Sequence, residues 1–397
     1  MIKISVMKPF FFFLSLFFCL NGAAQETKHN ALYKDRADAM FQKIWQHYRV
    51  QQYPGLFSEN YPSGKKVSLD YFQGANVDAK AVSFLWPFSG MFSAANVLVR
   101  FPDLKQKYNQ YLDTLTTGVW AYRDTTRTPV GYQAYPATLE KSDRYYDDNA
   151  LVCIDYLEAY LNTKDQKYIT KAKEVFDFIL SGWDDQLGGG VYWLEGHKDQ
   201  KPACSNGMST LAALKLYQCT NDPVYLNWGK KFYNWMHDTL RNPDGIYYND
   251  VKMDGKPNEV YYTYNTGSML EASVLLYQFT KESKYLKEAE LVAANSYRFF
   301  SNQNKSLDRH FNIDLPWFVT VLFRGYEALY HLNQNQVYIN AVASDLDKAW
   351  KKSADQYGFL TAKWATDEAS KKRPKWLLDQ ACIAELYARM SLLAPEN

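Results

Sequence analysis

A segment that reads apolar-Tyr-x-x-(Thr/Asn)-x-polar-x-x-Tyr-(Leu/Ile), then runs into an amphipathic helix, recurs four times in this 397-residue chain. The copies are AYLNTKDQKYITKAKEVFDFI (159–179), LYQCTNDPVYLNWGKKFYNWM (216–236), LYQFTKESKYLKEAELVAANS (276–296) and LYHLNQNQVYINAVASDLDKA (329–349). Their second tyrosines, Tyr168, Tyr225, Tyr285 and Tyr338, stand 57, 60 and 53 residues apart. Periods of this size mark arrays of supersecondary units that bury their apolar faces against one another. In each copy a short polar link joins an upstream helix, apolar on most sides, to a Lys/Glu-rich downstream helix. That contrast is expected when one helix of each hairpin lies inside a ring and the other faces water. Extending the pattern predicts upstream helices near 86–99, 148–161, 205–218, 266–279, 317–331 and 377–391. The downstream set falls near 30–49, 104–121, 165–180, 222–239, 282–299 and 336–352. The expected fold is an all-α (α/α)6 toroid of six inner and six outer helices. Small β-hairpins are predicted in its loops, at Gly188–Trp193 and Gly245–Tyr248. No βαβ alternation is present to suggest a parallel sheet.

Residues 1–24 read as a secretory signal and 25–397 as one catalytic domain. Lys3 and Lys8 precede an 11-residue apolar run, Phe10 to Leu20, and Asn21-Gly22-Ala23-Ala24 supplies small residues for cleavage after Ala24. The run is too short to span a bilayer. Cys19 follows Phe17-Phe18, a poor context for lipid attachment. An exported monomer (periplasmic, cell-surface or secreted) with no integral membrane segment is expected. The formal charge of +2 falls to zero without Lys3 and Lys8, which leaves no electrostatic footprint for nucleic acid. Cys153, Cys204, Cys219 and Cys382 lack C-x-x-C spacing and the six histidines lack ligand spacing, so no metal and no cofactor is expected. Each cysteine sits in an apolar helical pattern and reads as a small buried hydrophobe.

Long links, 122–146, 181–204 and 240–265, lead into the inner helices and gather at their N-terminal ends, where the site is expected. There Asp147-Asp148 opens a helix. Two carboxylates that share a site can divide into one ionised group and one acid, the requirement of glycoside hydrolysis. They can also simply cap the helix. Asp184-Asp185, before Gly188-Gly189-Gly190, reads as a structural loop. With 17% aromatic residues, the chain can also offer ring faces to the C–H patches of sugars. Trp86, Tyr146, Trp193, Tyr264 and Trp317 fall at the loop-to-inner-helix junctions. Asn206 and Asn265 are placed either as caps or as partners for sugar hydroxyls. The chain has no G-x-S-x-G, P-loop or H-E-x-x-H.

Four motifs in order, Tyr145-Tyr146-Asp147-Asp148-Asn149-Ala150, Trp183-Asp184 through Gly188 to Trp193, Ala203-Cys204-Ser205-Asn206-Gly207 and Thr263-Tyr264-Asn265-Thr266-Gly267, resemble glycoside hydrolase family 76, the α-1,6-mannanases. The likeness runs from about residue 35 to the end. It implies an (α/α)6 enzyme that cleaves α-1,6-mannan backbones internally with retention, with Asp147 as nucleophile and Asp148 as acid/base. The segments Val191-Tyr192-Trp193 and Pro316 to Thr320 depart from the expected pattern. Two other readings keep the same ring: a sugar epimerase or unsaturated uronyl hydrolase, and a non-catalytic glycan-binding relative.

Overall fold

A computed structural model describes residues 31–65, 67, 78–301, 310–311 and 314–393. The predicted leader, with Cys19 and the cleavage point at Ala24, lies outside the described residues. Helix α1 covers 31–47. It is followed by α2 (Leu85–Leu98), α3 (Lys105–Val119), α4 (Tyr146–Thr163), α5 (Gln166–Ser181), α6 (Ala203–Thr220) and α7 (Pro223–Leu240). Then come α8 (Thr263–Thr280), α9 (Ser283–Phe300), α10 (Pro316–Asn333), α11 (Val337–Lys352), the short α12 (Glu368–Lys372) and α13 (Leu377–Leu392). Helices α2, α4, α6, α8, α10 and α13 each pack on the next, and α13 packs back on α2 to close a ring. The other long helices surround it, as expected from the repeat. In α8 every residue from Thr263 to Leu276 is buried. Its partner α9 buries only Tyr285, Ala289, Val292, Ala293, Ser296 and Phe300, one face of a 3.6-residue helix.

The repeated motif is the turn between the two helices of each hairpin. Lys164, Asn221, Lys281 and Gln334 adopt left-handed backbone, and their N–H groups bond Tyr160, Tyr217, Tyr277 and Tyr330 carbonyls at 2.7–2.9 Å. Thr163, Thr220 and Thr280 turn back onto the helix and accept the following amide, while Asp165 and Asp222 cap the next helix. The recurring Tyr and Thr are thus fixed by the termination of one helix and the start of another.

An antiparallel bridge follows each of the six outer helices, closing a tiny hairpin wherever the intervening residues are described. The bridging pairs are Arg49–Phe57, Arg123–Tyr132, Trp183–Val191, Arg241–Tyr247, Ser301–Phe311 and Ala354–Leu360. The hairpins expected around Gly188–Trp193 and Gly245–Tyr248 are two of these. The strands are β1 (Asn60–Tyr61), β2 (Arg123–Asp124), β3 (Gly131–Tyr132), β4 (Gln200–Pro202), β5 (Tyr248–Lys252), β6 (Pro257–Tyr261) and β7 (Lys375–Trp376). They pair as β1–β7, β2–β3 and β4–β5–β6.

The fourth residue of four inner helices fastens the incoming hairpin. Asn149 accepts from Tyr132 N–H at 2.7 Å and donates to its carbonyl at 2.8 Å; Asn206 does the same for Val191 at 2.7 and 2.9 Å. Gln380 holds both groups of Leu360 at 2.9 Å, and the Thr266 hydroxyl accepts from Tyr247 N–H at 3.2 Å. Each clamp satisfies loop backbone that burial cuts off from water.

Below the hairpins, the ring carries buried ions. Arg324 of α10 bonds Glu385 of α13 at 2.7 and 2.8 Å, and Arg389 bridges Glu385 and Glu327 at 2.7 Å. Lys215 of α6 links Glu158 of α4 and Glu271 of α8 at 2.8 and 2.9 Å. Ser93 of α2 donates to Glu385, and Ser89 to Asp155 of α4. Burial opposes ionisation of Glu385, but Arg324 and Arg389 more than offset it and hold its pKa down at about 2.

Two outcomes are expected. A depressed carboxyl stabilises the fold above its ordinary pKa and loses that contribution as the pH falls through its folded value. Glu385→Gln should therefore cost about 3–5 kcal/mol at neutral pH and flatten the loss of stability between about pH 4.5 and 2, read by denaturant unfolding across that range. Asn206→Leu should cost about 2–4 kcal/mol by stranding the Val191 backbone groups, measured as a lowered unfolding midpoint.

Candidate functional site

A helix turns about 100° per residue, so its second and fourth residues point to opposite sides. Because the fourth residue holds a hairpin at the periphery, the second faces the ring axis. Those second residues are Trp86, Asp147, Cys204, Tyr264, Trp317 and Leu378. Trp86 meets Trp317 edge-on at 5.2 Å and Trp317 lies 6.0 Å from Tyr264, while Cys204 stands between Tyr264 and Asp147 in the order of the ring. A continuous floor of one acid, one thiol and three rings results. Phe318 stacks on Tyr264 at 4.0 Å and seals that side.

The acidic pair is half-buried in the first turn of α4, where backbone N–H groups favour negative charge. Asp147 accepts from the Trp193 indole at 3.2 Å and from the Asp148 amide at 3.1 Å. Among the described residues nothing hydrogen-bonds the Asp148 carboxylate. Burial raises both pKa values, but the donors around Asp147 oppose the rise. For Asp148, burial and then the charge of Asp147 push the carboxyl well above the usual range. Asp147 ionises first and Asp148 keeps the proton, so the pair offers a carboxylate beside a carboxylic acid.

Trp193 reaches Asp147 because the strand carrying it is pinned on both sides. The Tyr146 amide bonds the Trp193 carbonyl at 3.0 Å, and the Glu195 amide bonds the Arg144 carbonyl at 3.1 Å. Arg144, fully buried, pairs with Glu195 rather than with the acidic pair. Gly190, at φ +88°, lies against Trp235, where a Cβ would sit 2.6 Å from the ring. Asp184 is held by Lys201 at 2.7 Å, Tyr192 at 2.8 Å and Lys198 at 3.1 Å. Those partners overcome burial and keep its pKa well below the ordinary value; it staples the loop.

Three expected sugar contacts do not reach the groove. Tyr146, first residue of α4 and only 5% exposed, stacks outward on Phe178 at 4.9 Å. Asn206 is fully buried and spends its amide on Val191 and the Pro202 carbonyl. Asn265 is also fully buried, with its amide 3.5 Å from Asn249. Trp86 and Trp193 are half-buried at the floor, whereas Trp317 (4% exposed) and Tyr264 (8%) are mostly covered by neighbouring rings. Cys204, read from sequence as a small buried hydrophobe, is half-buried and packs against the core. Aligning the inner helices by their starts places it beside Asp147. All four described cysteines are free thiols.

A sequence model described as Glycosyl hydrolase family 76 matches residues 32–395. The mannan endo-1,6-alpha-mannosidase DCW1 of Candida albicans is 25% identical over 260 residues, covering 60% of this chain and 56% of that protein. The chain spans 28–42% of the length of the other curated relatives it matches. Among solved structures, the family 76 glycoside hydrolase (mannosidase) of Bacteroides thetaiotaomicron is 27% identical, with TM-score 0.78 over 91% of this chain and 98% of that one. An inactive α-1,6-mannanase variant of Salegentibacter sp., with two consecutive aspartates changed to asparagine and α-1,6-mannotriose bound, shares the fold at 20% identity and TM-score 0.73, over 91% and 100% of the two chains. Since the match covers nearly all of the described ring, the chain belongs to glycosyl hydrolase family 76.

Proposed function

We propose that the protein is an exported, retaining endo-α-1,6-mannosidase acting on mannan backbones, with residues 25–397 as its catalytic unit. The observation that carries this reading is the division of the acidic pair, one member surrounded by donors and the other by none, on a floor walled with aromatic rings. Family membership, the mannan endo-1,6-alpha-mannosidases among the relatives and the paired aspartates replaced in the Salegentibacter variant all support it.

In this mechanism a mannan chain lies across the floor with its pyranose faces on the half-buried Trp86 and Trp193. Asp147 attacks the anomeric carbon while Asp148 gives its proton to the departing glycosidic oxygen, and a covalent mannosyl ester forms on Asp147. Asp148, now ionised, takes a proton from water as that water attacks the same carbon, and both groups return to their starting states. Two inversions give retention. Donors to Asp147 hold the carboxylate aimed before attack, and the missing donors at Asp148 keep its proton available at neutral pH.

Asp147→Asn and Asp148→Asn should each lower kcat on linear α-1,6-mannan by about 10²–10⁴-fold with unfolding midpoints close to that of the unsubstituted protein. Unimpaired turnover in either variant would refute its assigned role. Product sizing should show a ladder of oligosaccharides early in the reaction, and NMR should show the α-anomer first. Release of mannose alone would mean end-wise action, and a first-formed β-anomer would mean inversion.

A further inference from the structure

Behind the strand that carries Trp193 lies a cavity of about 290 Å³. The Trp193 side chain turns to Asp147, while Tyr192 and Leu194, on the opposite side of the extended segment, line the cavity. Neither Asp147, Asp148 nor Trp193 takes part in its wall. The outward-facing Tyr146, the end of α5 at Ser181-Gly182 and the hairpin tip at Thr128-Pro129 also contribute to the lining. These walls are pre-formed. The Tyr192 amide bonds the Gly182 carbonyl at 3.2 Å, the His197 amide bonds the Leu194 carbonyl at 3.1 Å, and the Pro129 carbonyl accepts from Arg144 at 2.9 Å. At Gly182 a Cβ would stand 2.6 Å from the Tyr146 ring and 2.7 Å from Val191, so only glycine lets the loop lie this close.

The lining suits a sugar, which offers a patch of C–H groups and a rim of hydroxyls that both donate and accept. Trp183, half-buried, gives ring surface for the patch. For the hydroxyls, Asp184 and Glu195 keep 24% and 25% of their side chains exposed, as acceptors aimed by their cationic partners. Ser181 spends its proton on the Phe178 carbonyl at 2.6 Å, which leaves its oxygen as a further acceptor. The exposed His197 imidazole, without a hydrogen-bond partner among the described residues, can donate or accept. Lys201 and Lys198 neutralise Asp184, and Arg144 and Arg127 neutralise Glu195, so an ionic ligand gains little. Among the described residues no three His, Cys, Asp or Glu side chains gather as metal ligands. Pockets for drug-sized molecules run from about 300 to 1,000 Å³, so this one holds a single ring. We propose that the cavity is an accessory carbohydrate site that takes one mannosyl unit and holds mannan beside the groove. The identity of the sugar rests on the mannan reading above; the cavity itself asks only for a neutral ring of hydroxyls. That unit comes from a side branch of the chain in the groove or from the end of a separate chain, and the two sources give different results below.

The test uses methyl α-D-mannopyranoside as its probe. In an NMR titration it should shift the His197 imidazole signals, identified by their loss in His197→Ala, with a Kd of about 1–10 mM, the range for a ligand of this size. Ser181→Trp, which fills the cavity from an exposed position, should abolish the shift and leave the unfolding midpoint nearly unchanged. Silent His197 signals, or a response that survives in Ser181→Trp, overturn the site. Turnover then identifies the source. Ser181→Trp should keep kcat/KM on a short linear α-1,6-mannan oligosaccharide within about two-fold and lower it about ten-fold on polymeric mannan. A loss on branched polymer alone assigns the cavity to a side branch, and an equal loss on unbranched polymer assigns it to a separate chain. No loss on either polymer overturns the holding role. Where Ser181→Trp does not fold, His197→Ala carries the same comparison, with a loss of about three-fold expected on polymer. If the unsubstituted protein cleaves no α-1,6-mannan, the mechanism and the holding role fall together, and the His197 titration still decides sugar binding in the cavity.

Discussion

The buried ion pairs beneath the hairpins constrain everything above them. Six helices enclosed on nearly every side would slide past one another at little cost if only aliphatic groups met between them. Arg324, Lys215 and Arg389 remove that freedom, because a shift of one turn would leave a desolvated charge unpaired. Close contacts work in the same direction. Gly267 lies against the Leu322 backbone, where a Cβ would come within 2.4 Å of Cα. With the helices locked in height, their second residues come to one level, and five unrelated sequence positions become one floor.

Local geometry then separates tasks within each first turn. The fourth residue grips a hairpin while the second points to the axis, so the scaffold and the chemistry occupy opposite sides of the same few residues. The electrostatics follow from this layout. Asp147, facing inward, accepts from Trp193; Asp148, rotated away by one residue, does not. Adjacent and chemically identical side chains therefore acquire different proton affinities without a metal, lysine or histidine being needed to explain the difference.

Much of the architecture was legible in the residues. The Tyr and Thr of the repeat terminate helices, and a terminator recurring every 53 to 60 positions reveals the hairpin, whose six copies follow once the period is extended along the chain. The acidic pair stood out as two carboxylates at a helix start among rings, although capping produces the same pattern. The side each residue faces was not legible. Tyr146, Asn206 and Asn265 lie in the same short motifs as residues of the floor, and a rotation of about 100° per position decides between core, clamp and groove. Composition and spacing do not encode that rotation until one helix of the ring is anchored. The β4–β5–β6 sheet was also missed, since β4 and β5 meet only after a helical hairpin folds between them.

The clamps have a consequence for how such a ring diversifies. Every fastened hairpin is tied at one bridging residue to the helix that bears the neighbouring floor position. The arm beyond that knot, as from Tyr247 to Tyr262, can lengthen, shorten or change composition while the knot absorbs the disturbance. Walls can be rebuilt for longer or branched polymers without moving the acids, so new specificities become accessible through insertions instead of through repacking.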